Sequence, residues 1–171
     1  MLVLGALAGC ASIIRYNVSA SLPGGLYVLT FERIERGSLV FACPPAGSGE
    51  LAVRRGYLAH GTCPGGSTRV GKFVAAVAGD TVTVSRSGLA VNGRALPKSA
   101  ALAVDGFGGA LTPYPVGTYL VGRGEVWLIS DYARGSFDSR YYGPVRTESV
   151  LSTAAPVWIR GEWRPQERFR P

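Results

Sequence analysis

The stretch from residue 17 to residue 27 reads Asn-Val-Ser-Ala-Ser-Leu-Pro-Gly-Gly-Leu-Tyr. The hydroxyls of Ser19 and Ser21 are two positions apart, and in an extended chain such side chains point to the same side. Pro23 then fixes φ, and the two glycines permit a turn that keeps the hydroxyls clear of their own backbone. This pattern suits an exposed serine nucleophile. An ordinary turn leading into a strand has the same pattern and is common, so the rest of the chain must distinguish the two.

The composition indicates one folded domain of mainly β structure. The chain has 171 residues, of which 47% are hydrophobic and 17% charged, enough for one core and unlike a disordered protein. Its 24 glycines and 11 prolines indicate frequent turns. We find no internal repeat and no long helical periodicity. Many short strands at close spacing predict antiparallel strands in a curled or partly closed β domain.

Strand-like segments follow one another closely along this domain. A short helix is predicted over residues 50–59, after a break at 44–49, and Asn92-Gly93 predicts a tight hairpin turn. Residues 98–117 have few periodic signals and predict a surface excursion. Because residues 26–31 and 37–43 are joined by a short polar connection, we expect them to be neighbours in a meander. The predicted strands are 26–31, 37–43, 68–77, 81–85, 118–121, 125–130 and 156–160.

The chain divides into three parts: 1–14, 15–160 and 161–171. Residues 1–14 are uncharged, but they are shorter than the roughly 20 residues of a membrane span and do not begin with the positive charge of a secretory signal. We expect a membrane anchor that has lost its first residues. A buried or interfacial segment is one alternative, and a lipobox ending at an acylated Cys10 is another. Residues 161–171 form a basic polar tail.

The net charge of +7 suggests an anionic partner. The arginines are mostly scattered, and no helix-turn-helix pattern or aromatic-basic strand pair is present, so we expect no nucleic acid and instead a surface facing anionic membrane lipid. His60 is predicted to lie in a loop. One histidine and three cysteines that lack close pairs do not form a zinc ligand set, and we expect no metal and no cofactor.

Cys43 and Cys63 each precede a proline at the end of a structured segment. If the domain lies outside the cytoplasm, they could pair in a disulfide that contributes about 3 kcal/mol through loop closure. In a cytosolic protein they would be two unrelated thiols.

Only two of the 18 basic residues are lysines, Lys72 and Lys98. Lys98 follows a proline in the surface excursion and is predicted to be exposed. Lys72 lies inside an apolar strand, where it either extends its amine to water or is buried. Burial would lower its pKa and make the neutral amine a general base.

Three segments in order resemble the type I signal peptidase superfamily, and within it the TraF-like conjugative-transfer signal peptidases. They are NVSASLPGGLY at 17–27, VGKFVAAVAGD at 70–80 and SFDSRYYGPV at 136–145. The resemblance covers roughly residues 15–160 and implies a mostly antiparallel signal-peptidase-like β domain behind an N-terminal membrane segment. One departure is Ser130-Asp131-Tyr132, which replaces the family's Gly-Asp-Asn run.

The resemblance also implies roles for individual residues. Ser21 matches the nucleophile and Lys72 the general base, while Ser19 matches the hydroxyl that forms the oxyanion hole together with the Ser21 amide. Ser136 matches a hydroxyl that orients the lysine. The remaining matched positions form a supporting ion pair, Asp138 and Arg140.

The implied function is that of a membrane-associated serine endopeptidase. Its substrate would be an exported pilin-like precursor with small residues before the cleaved bond, processed at the periplasmic face of the bacterial inner membrane. The acyl group would pass to water, or to an amine of the same precursor to give a cyclic product.

Two other functions agree with parts of the sequence. A LexA-like self-cleaving peptidase uses the same Ser/Lys chemistry in the cytosol, but it would normally carry a regulatory arm and has little use for an apolar N-terminus. A non-enzymatic periplasmic subunit of a conjugation or secretion apparatus would need neither Ser21 nor Lys72.

Overall fold

In a computed structural model, residues 13–161 form eleven β-strands, two short α-helices and one 3-10 turn at Thr147–Ser149. The helices are α1 (Ala46–Arg54) and α2 (Ser139–Tyr142). The strands are β1 (Ile14–Asn17), β2 (Gly25–Thr30), β3 (Leu39–Ala42), β4 (Val70–Val77), β5 (Thr81–Ser85), β6 (Gly88–Val91), β7 (Arg94–Ala95), β8 (Gly117–Leu120), β9 (Glu125–Ile129), β10 (Val145–Arg146) and β11 (Val150–Ile159).

The strands form two antiparallel sheets. The larger has the order β1-β2-β11-β3-β4-β9-β10, and the smaller has the order β7-β6-β5-β8. Between β8 and β9, the segment Gly122-Arg123-Gly124 carries the chain from the smaller sheet back to the larger one. The predicted mainly antiparallel β fold is confirmed.

Strand β11 lies between β2 and β3, so the predicted meander of these two strands is wrong. β11 has ten residues and pairs with both neighbours, with Thr153 opposite Thr30 on one side and Val40 on the other. The Thr153 hydroxyl also hydrogen-bonds the Thr30 hydroxyl at 2.7 Å and accepts the amide N–H of Glu32 at 2.9 Å. The short connection from β2 to β3 therefore spans one strand, which a local pattern cannot reveal.

Irregular register bends the larger sheet. The pairing of β11 shifts between Val150 and Ser152 and again between Pro156 and Trp158, and that of β4 shifts between Val74 and Ala76. Such bulges bend a strand and increase its twist. They produce the predicted curl.

The main core lies between the two sheets. The larger sheet contributes Tyr27, Phe73 and Trp127, and the smaller one contributes Val82 and Leu89 among others. A second, smaller buried cluster covers the opposite side of the larger sheet and includes residues of β3, β4 and β9. Strand β4 is thus buried on both faces.

Helix α1 begins at Ala46 and ends at Arg54, so the predicted helix over 50–59 began too late and extended too far. Pro45 precedes the helix, a position where its missing N–H is no loss. Gly49, which was predicted to lie in a break, is part of the helix, and an added Cβ there would lie only 2.8 Å from Ser67 Oγ. Gly56, with φ +71°, follows the helix.

The disulfide between Cys43 and Cys63 is present, with a Cα–Cα distance of 5.4 Å, so that prediction is confirmed. The hairpin turn between β6 and β7 is confirmed too, with positive φ at both Asn92 and Gly93. Lys98 is exposed, as predicted, and His60 lies outside the named helices and strands, as predicted.

The segment between β7 and β8 has no regular strand, as expected for the predicted excursion, and contains one isolated bridge between Val104 and Ala110. It is nevertheless attached to the body of the domain. Ser99 is buried, and Tyr114 packs against the main core.

Two predictions fall largely outside the described residues. The structure describes residues 13–161. It therefore does not cover residues 1–12 of the apolar segment, including Cys10, or residues 162–171 of the basic tail. Within residues 13–161, no helix has the length and apolar character needed to cross a membrane.

Candidate active site

Three side chains from distant parts of the sequence meet at one point. Lys72 Nζ donates to Ser21 Oγ at 2.6 Å and to Ser136 Oγ at 2.7 Å, and the two hydroxyl oxygens lie 3.2 Å apart. Proton transfer requires heavy atoms about 2.6 to 3.2 Å apart. The Lys72 amine is therefore within reach of the Ser21 proton.

Lys72 is buried because it lies in β4, near the middle of the larger sheet. Its Cα is paired with that of Val40, and its side chain is only 3% exposed. Its surroundings together lower the pKa of Lys72 from 10.5 to about 8: burial lowers it most, Asp138 raises it, and Arg140 lowers it by a smaller amount than either of these. The structure thus selects the buried alternative over the one in which the amine reaches water.

Ser21 lies in a turn, so the extended conformation assumed for Ser19 and Ser21 is wrong. The amide N–H of Leu22 donates to the carbonyl of Ser19 at 3.4 Å, and Leu22 is buried in the main core. Gly71, the residue before Lys72, makes room for it, since a Cβ there would lie 2.5 Å from Leu22 Cδ1. The glycine lets the Ser21 turn approach β4 closely.

Asn17 organises this turn, although sequence analysis gave it no role. Its Nδ2 donates to the carbonyls of Ser19 and Leu22, at 3.0 Å each, and to that of Pro23 at 3.3 Å. Its Oδ1 accepts the amide N–H of Ser19 at 3.2 Å. An asparagine before a Ser/Pro/Gly segment is a turn signal, and that signal gives no indication of so many partners.

Ser19 lies in the same turn, and its hydroxyl is engaged. Ser19 Oγ donates to Asn17 Oδ1 at 2.8 Å. To contribute to an oxyanion hole, this hydroxyl would have to rotate away from Asn17.

Ser136 is held by the ion pair of Asp138 and Arg140, both fully buried. Arg140 Nε and Nη2 donate to the two Asp138 oxygens, each at 2.8 Å, and Nη2 also donates to the carbonyl of Ser136 at 2.9 Å. A buried, bidentate pair with further backbone partners fixes geometry. The ion pair thus fixes the position of the Ser136 backbone, from which the Ser136 hydroxyl reaches Lys72.

Ser130 connects the ion pair to the Ser21 turn, and sequence analysis missed this connection. Its hydroxyl donates to the carbonyl of Ser21, and its amide N–H donates to Asp138 Oδ2 at 3.1 Å. The only signal in the sequence was the departure at Ser130-Asp131-Tyr132.

The three side chains line an open cleft of about 910 Å³. The apolar lining residues include Phe41, Leu58, Leu102, Phe107 and Leu111. This space is large enough for several residues of a polypeptide. In the described part of the chain, no group of three or more His, Cys, Asp or Glu side chains is placed to hold a metal ion.

Known proteins are similar in sequence to this chain over most of its length. A plasmid transfer protein TraF from Escherichia coli is 40% identical over 154 residues, which cover 88% of this chain and 87% of that protein. A probable conjugal transfer protein TraF from Sinorhizobium fredii (strain NBRC 101917 / NGR234) is 40% identical over 148 residues, with 84% and 76% covered.

A crystal structure of a signal peptidase I from Enterococcus faecalis V583 superposes with a TM-score of 0.42 at 17% identity, covering 72% of this chain and 98% of that one. The family model described as signal peptidase, peptidase S26, matches residues 1–159. The predicted resemblance to signal peptidases of the TraF-like branch is confirmed, and this chain belongs to the signal peptidase family, peptidase S26.

Proposed function

We propose that this protein is a serine endopeptidase of the signal peptidase type, with Ser21 as nucleophile and Lys72 as general base. The observation that carries the proposal is the 2.6 Å contact between Lys72 Nζ and Ser21 Oγ in a buried site. Membership of the signal peptidase family supports it independently.

The lowered pKa makes the lysine usable as a base. At pH 7, a pKa of about 8 leaves about one tenth of the amine neutral, roughly 300-fold more than at the ordinary value of 10.5. The neutral amine takes the Ser21 proton while Oγ attacks the carbonyl carbon of the substrate. The resulting ammonium then donates that proton to the leaving amine, and an acyl-Ser21 ester remains.

The ester is opened by a second nucleophile. Neutral Lys72 removes a proton from water, or from an amine of the same precursor, as that group attacks the ester carbonyl; the ester C–O bond then breaks, and the Lys72 ammonium returns the proton to Ser21 Oγ. The Ser21 amide and a rotated Ser19 hydroxyl would donate to the oxyanion in both steps. Ser136 accepts from Lys72 at 2.7 Å and keeps the amine aimed at Ser21. The role of Asp138 and Arg140 is to hold Ser136.

The substrate that we propose is an exported pilin-like precursor of conjugative transfer, cleaved after small residues at the periplasmic face of the inner membrane. The names of the relatives, which are plasmid and conjugal transfer proteins, support the process. The Cys43–Cys63 disulfide supports an oxidising compartment, because cytosolic thiols are kept reduced.

Mass spectrometry of the precursor from cells tests this function. Cells with the unaltered protein should contain the cleaved precursor, and its mass also distinguishes a linear product from a cyclic one, which has one water less. Ser21→Ala and Lys72→Ala should each leave the precursor uncut, and Lys98→Ala is the matched control that should cut normally.

Normal cleavage with Ser21→Ala would overturn the proposal and favour the non-enzymatic subunit. Fractionation adds a second test, since a LexA-like peptidase would be cytosolic and would cut itself. Recovery of the protein in the soluble cytosol with a shortened chain would support that rival.

A further inference from the structure

Phe107 combines high exposure with a place in the wall of the active-site cleft. Its side chain is 84% exposed, and it lines the same cleft as Ser21 and Lys72. A single exposed phenylalanine is ordinary on a protein surface. What sets Phe107 apart is the fixed loop that carries it.

Asp105 folds the loop on itself. Its Oδ1 accepts the amide N–H groups of Phe107 and Gly109, each at 2.8 Å, and its own amide N–H donates to the carbonyl of Gly109 at 2.8 Å. Phe107 therefore lies at the tip of a tight turn whose backbone is hydrogen-bonded on both sides.

The same carboxylate attaches the loop to the residues after helix α1. Tyr57 Oη donates to Asp105 Oδ2, and Arg55 Nη1 lies 3.4 Å from that oxygen and donates to the carbonyl of Ala110 at 2.7 Å. The Asp105 side chain is only 8% exposed. The Tyr57 hydroxyl and the backbone amides of Gly109 and Phe107, with Arg55, lower the pKa of Asp105 and keep it ionised.

The rest of the loop is attached to the helix that follows Ser136. The amide N–H of Leu102 donates to Tyr141 Oη at 3.0 Å. Tyr57, which donates to Asp105 of the loop, also has its ring 5.5 Å from that of Phe137. Because the loop is already ordered, a ligand that touches Phe107 does not have to order it. The neighbouring cleft residues Leu102 and Leu111 are apolar as well.

We propose that Phe107 is a specificity-determining residue, which contacts an apolar side chain of the polypeptide bound in the cleft that Ser21 and Lys72 also line. We infer an apolar side chain because burying the exposed Phe107 ring against another apolar group is the contact that stabilises the complex most. That the ligand is a polypeptide rests on the proposed function.

Peptide binding to the inactive Ser21→Ala protein tests the inference without requiring turnover. The probes are fluorescent peptides with a central Ala-Ser-Ala, flanked by serines, in which one flanking position at a time is changed to leucine. We expect at least one position where leucine lowers Kd by about tenfold, within the range that one apolar contact supplies. Adding Phe107→Ala should abolish that preference.

Phe31→Ala is the matched control, because Phe31 is 81% exposed and does not line the cleft. It should retain the leucine preference. Asp105→Asn should weaken the preference while the protein stays folded, as judged by its Tm, because the introduced amide keeps an acceptor for the turn and loses the acceptor for Tyr57.

Three results would overturn the inference: no leucine preference at any position, a preference that survives Phe107→Ala, or equal loss with Phe31→Ala. Failure of the proposed function is separate. It would appear as precursor cleavage that does not depend on Ser21, whatever the peptides show.

Discussion

At the residue scale, the chemistry of the site depends on the protonation of one amine. Lys72 is held between two hydroxyls, and burial dominates its pKa and brings it to about 8. The neutral form is the base. Activity should therefore follow the fraction of Lys72 that has lost its proton.

We predict that kcat/KM for precursor cleavage rises about tenfold per pH unit below pH 8 and levels off above it. The sign follows from the lowered pKa, since raising the pH deprotonates Lys72. Initial rates between pH 5.5 and 9.5 provide the measurement. A profile that is flat or falls across this range would contradict a neutral lysine base.

The same burial should lower stability. The pKa of Lys72 is lower in the folded state than in the unfolded state, so the unfolded state binds more protons between pH 8 and 10.5. This difference lowers the free energy of unfolding by about 3 kcal/mol at pH 7. We predict that Lys72→Met raises the free energy of unfolding at pH 7, and that its advantage disappears as the pH rises through this window.

Urea unfolding at pH 7 and pH 10 measures the effect. The control is Lys98→Met, an exposed position that should change the free energy of unfolding by less than about 0.5 kcal/mol at either pH. If Lys72→Met instead lowers the free energy of unfolding at pH 7, burial of the Lys72 amine does not destabilise the folded protein.

Sequence reasoning reached Lys72 because a charge inside an apolar strand is unusual. It missed Asn17 and Ser130 because polar residues in turns are ordinary, and only the three-dimensional arrangement shows their bonds to the Ser21 turn.

At the element scale, the site depends on how closely the Ser21 turn approaches β4. Gly71 leaves room for Leu22, and Phe41 Cε1 would also lie 3.2 Å from an added Cβ. A methyl group there must displace Leu22 or strand β4.

We predict that Gly71→Ala lowers kcat at least tenfold because it moves Ser21 away from Lys72. Gly47→Ala is the control, since an added Cβ in helix α1 meets nothing within 4 Å and should stabilise the helix by up to about 1 kcal/mol. Cleavage assays at equal concentrations of folded protein measure the change in kcat. Unaltered kcat in Gly71→Ala would show that the turn does not depend on this contact.

Strand identities were largely predictable, since alternation and β-branched residues indicated β4, β5 and β9. The insertion of β11 between β2 and β3 was not, because pairing between residues more than 100 positions apart leaves no local signal.

At the scale of the whole molecule, the disulfide closes the segment that forms one wall of the cleft. Cys43 and Cys63 are 20 positions apart, and Tyr57, Leu58 and Ala59 lie between them and line the cleft. The constraint acts mainly on the unfolded chain.

We predict that replacing both Cys43 and Cys63 by alanine lowers the free energy of unfolding by about 3 kcal/mol. Reductant should lower the stability of the unaltered protein and leave that of the double variant unchanged. Urea unfolding with and without dithiothreitol gives the comparison. Equal stability of the two proteins in the absence of reductant would contradict a stabilising disulfide.

The overall class was predictable from composition and turn frequency, whereas the way the two sheets enclose one core was not. Residues such as Trp127 and Leu89 belong to one core cluster although they lie in different sheets. Apolar periodicity shows that a strand has a buried face and does not show which strand covers it.

An NMR titration of Lys72 tests the central claim most directly. With only Lys72 and Lys98 in the chain, ¹³Cε-labelled lysine gives two signals, and Lys72→Met assigns them. We predict that the Lys72 signal titrates near pH 8, well below the ordinary lysine pKa of about 10.4. If the Lys72 signal titrates near 10.4 instead, Lys72 is an ordinary charged lysine and the proposed Ser/Lys mechanism is contradicted.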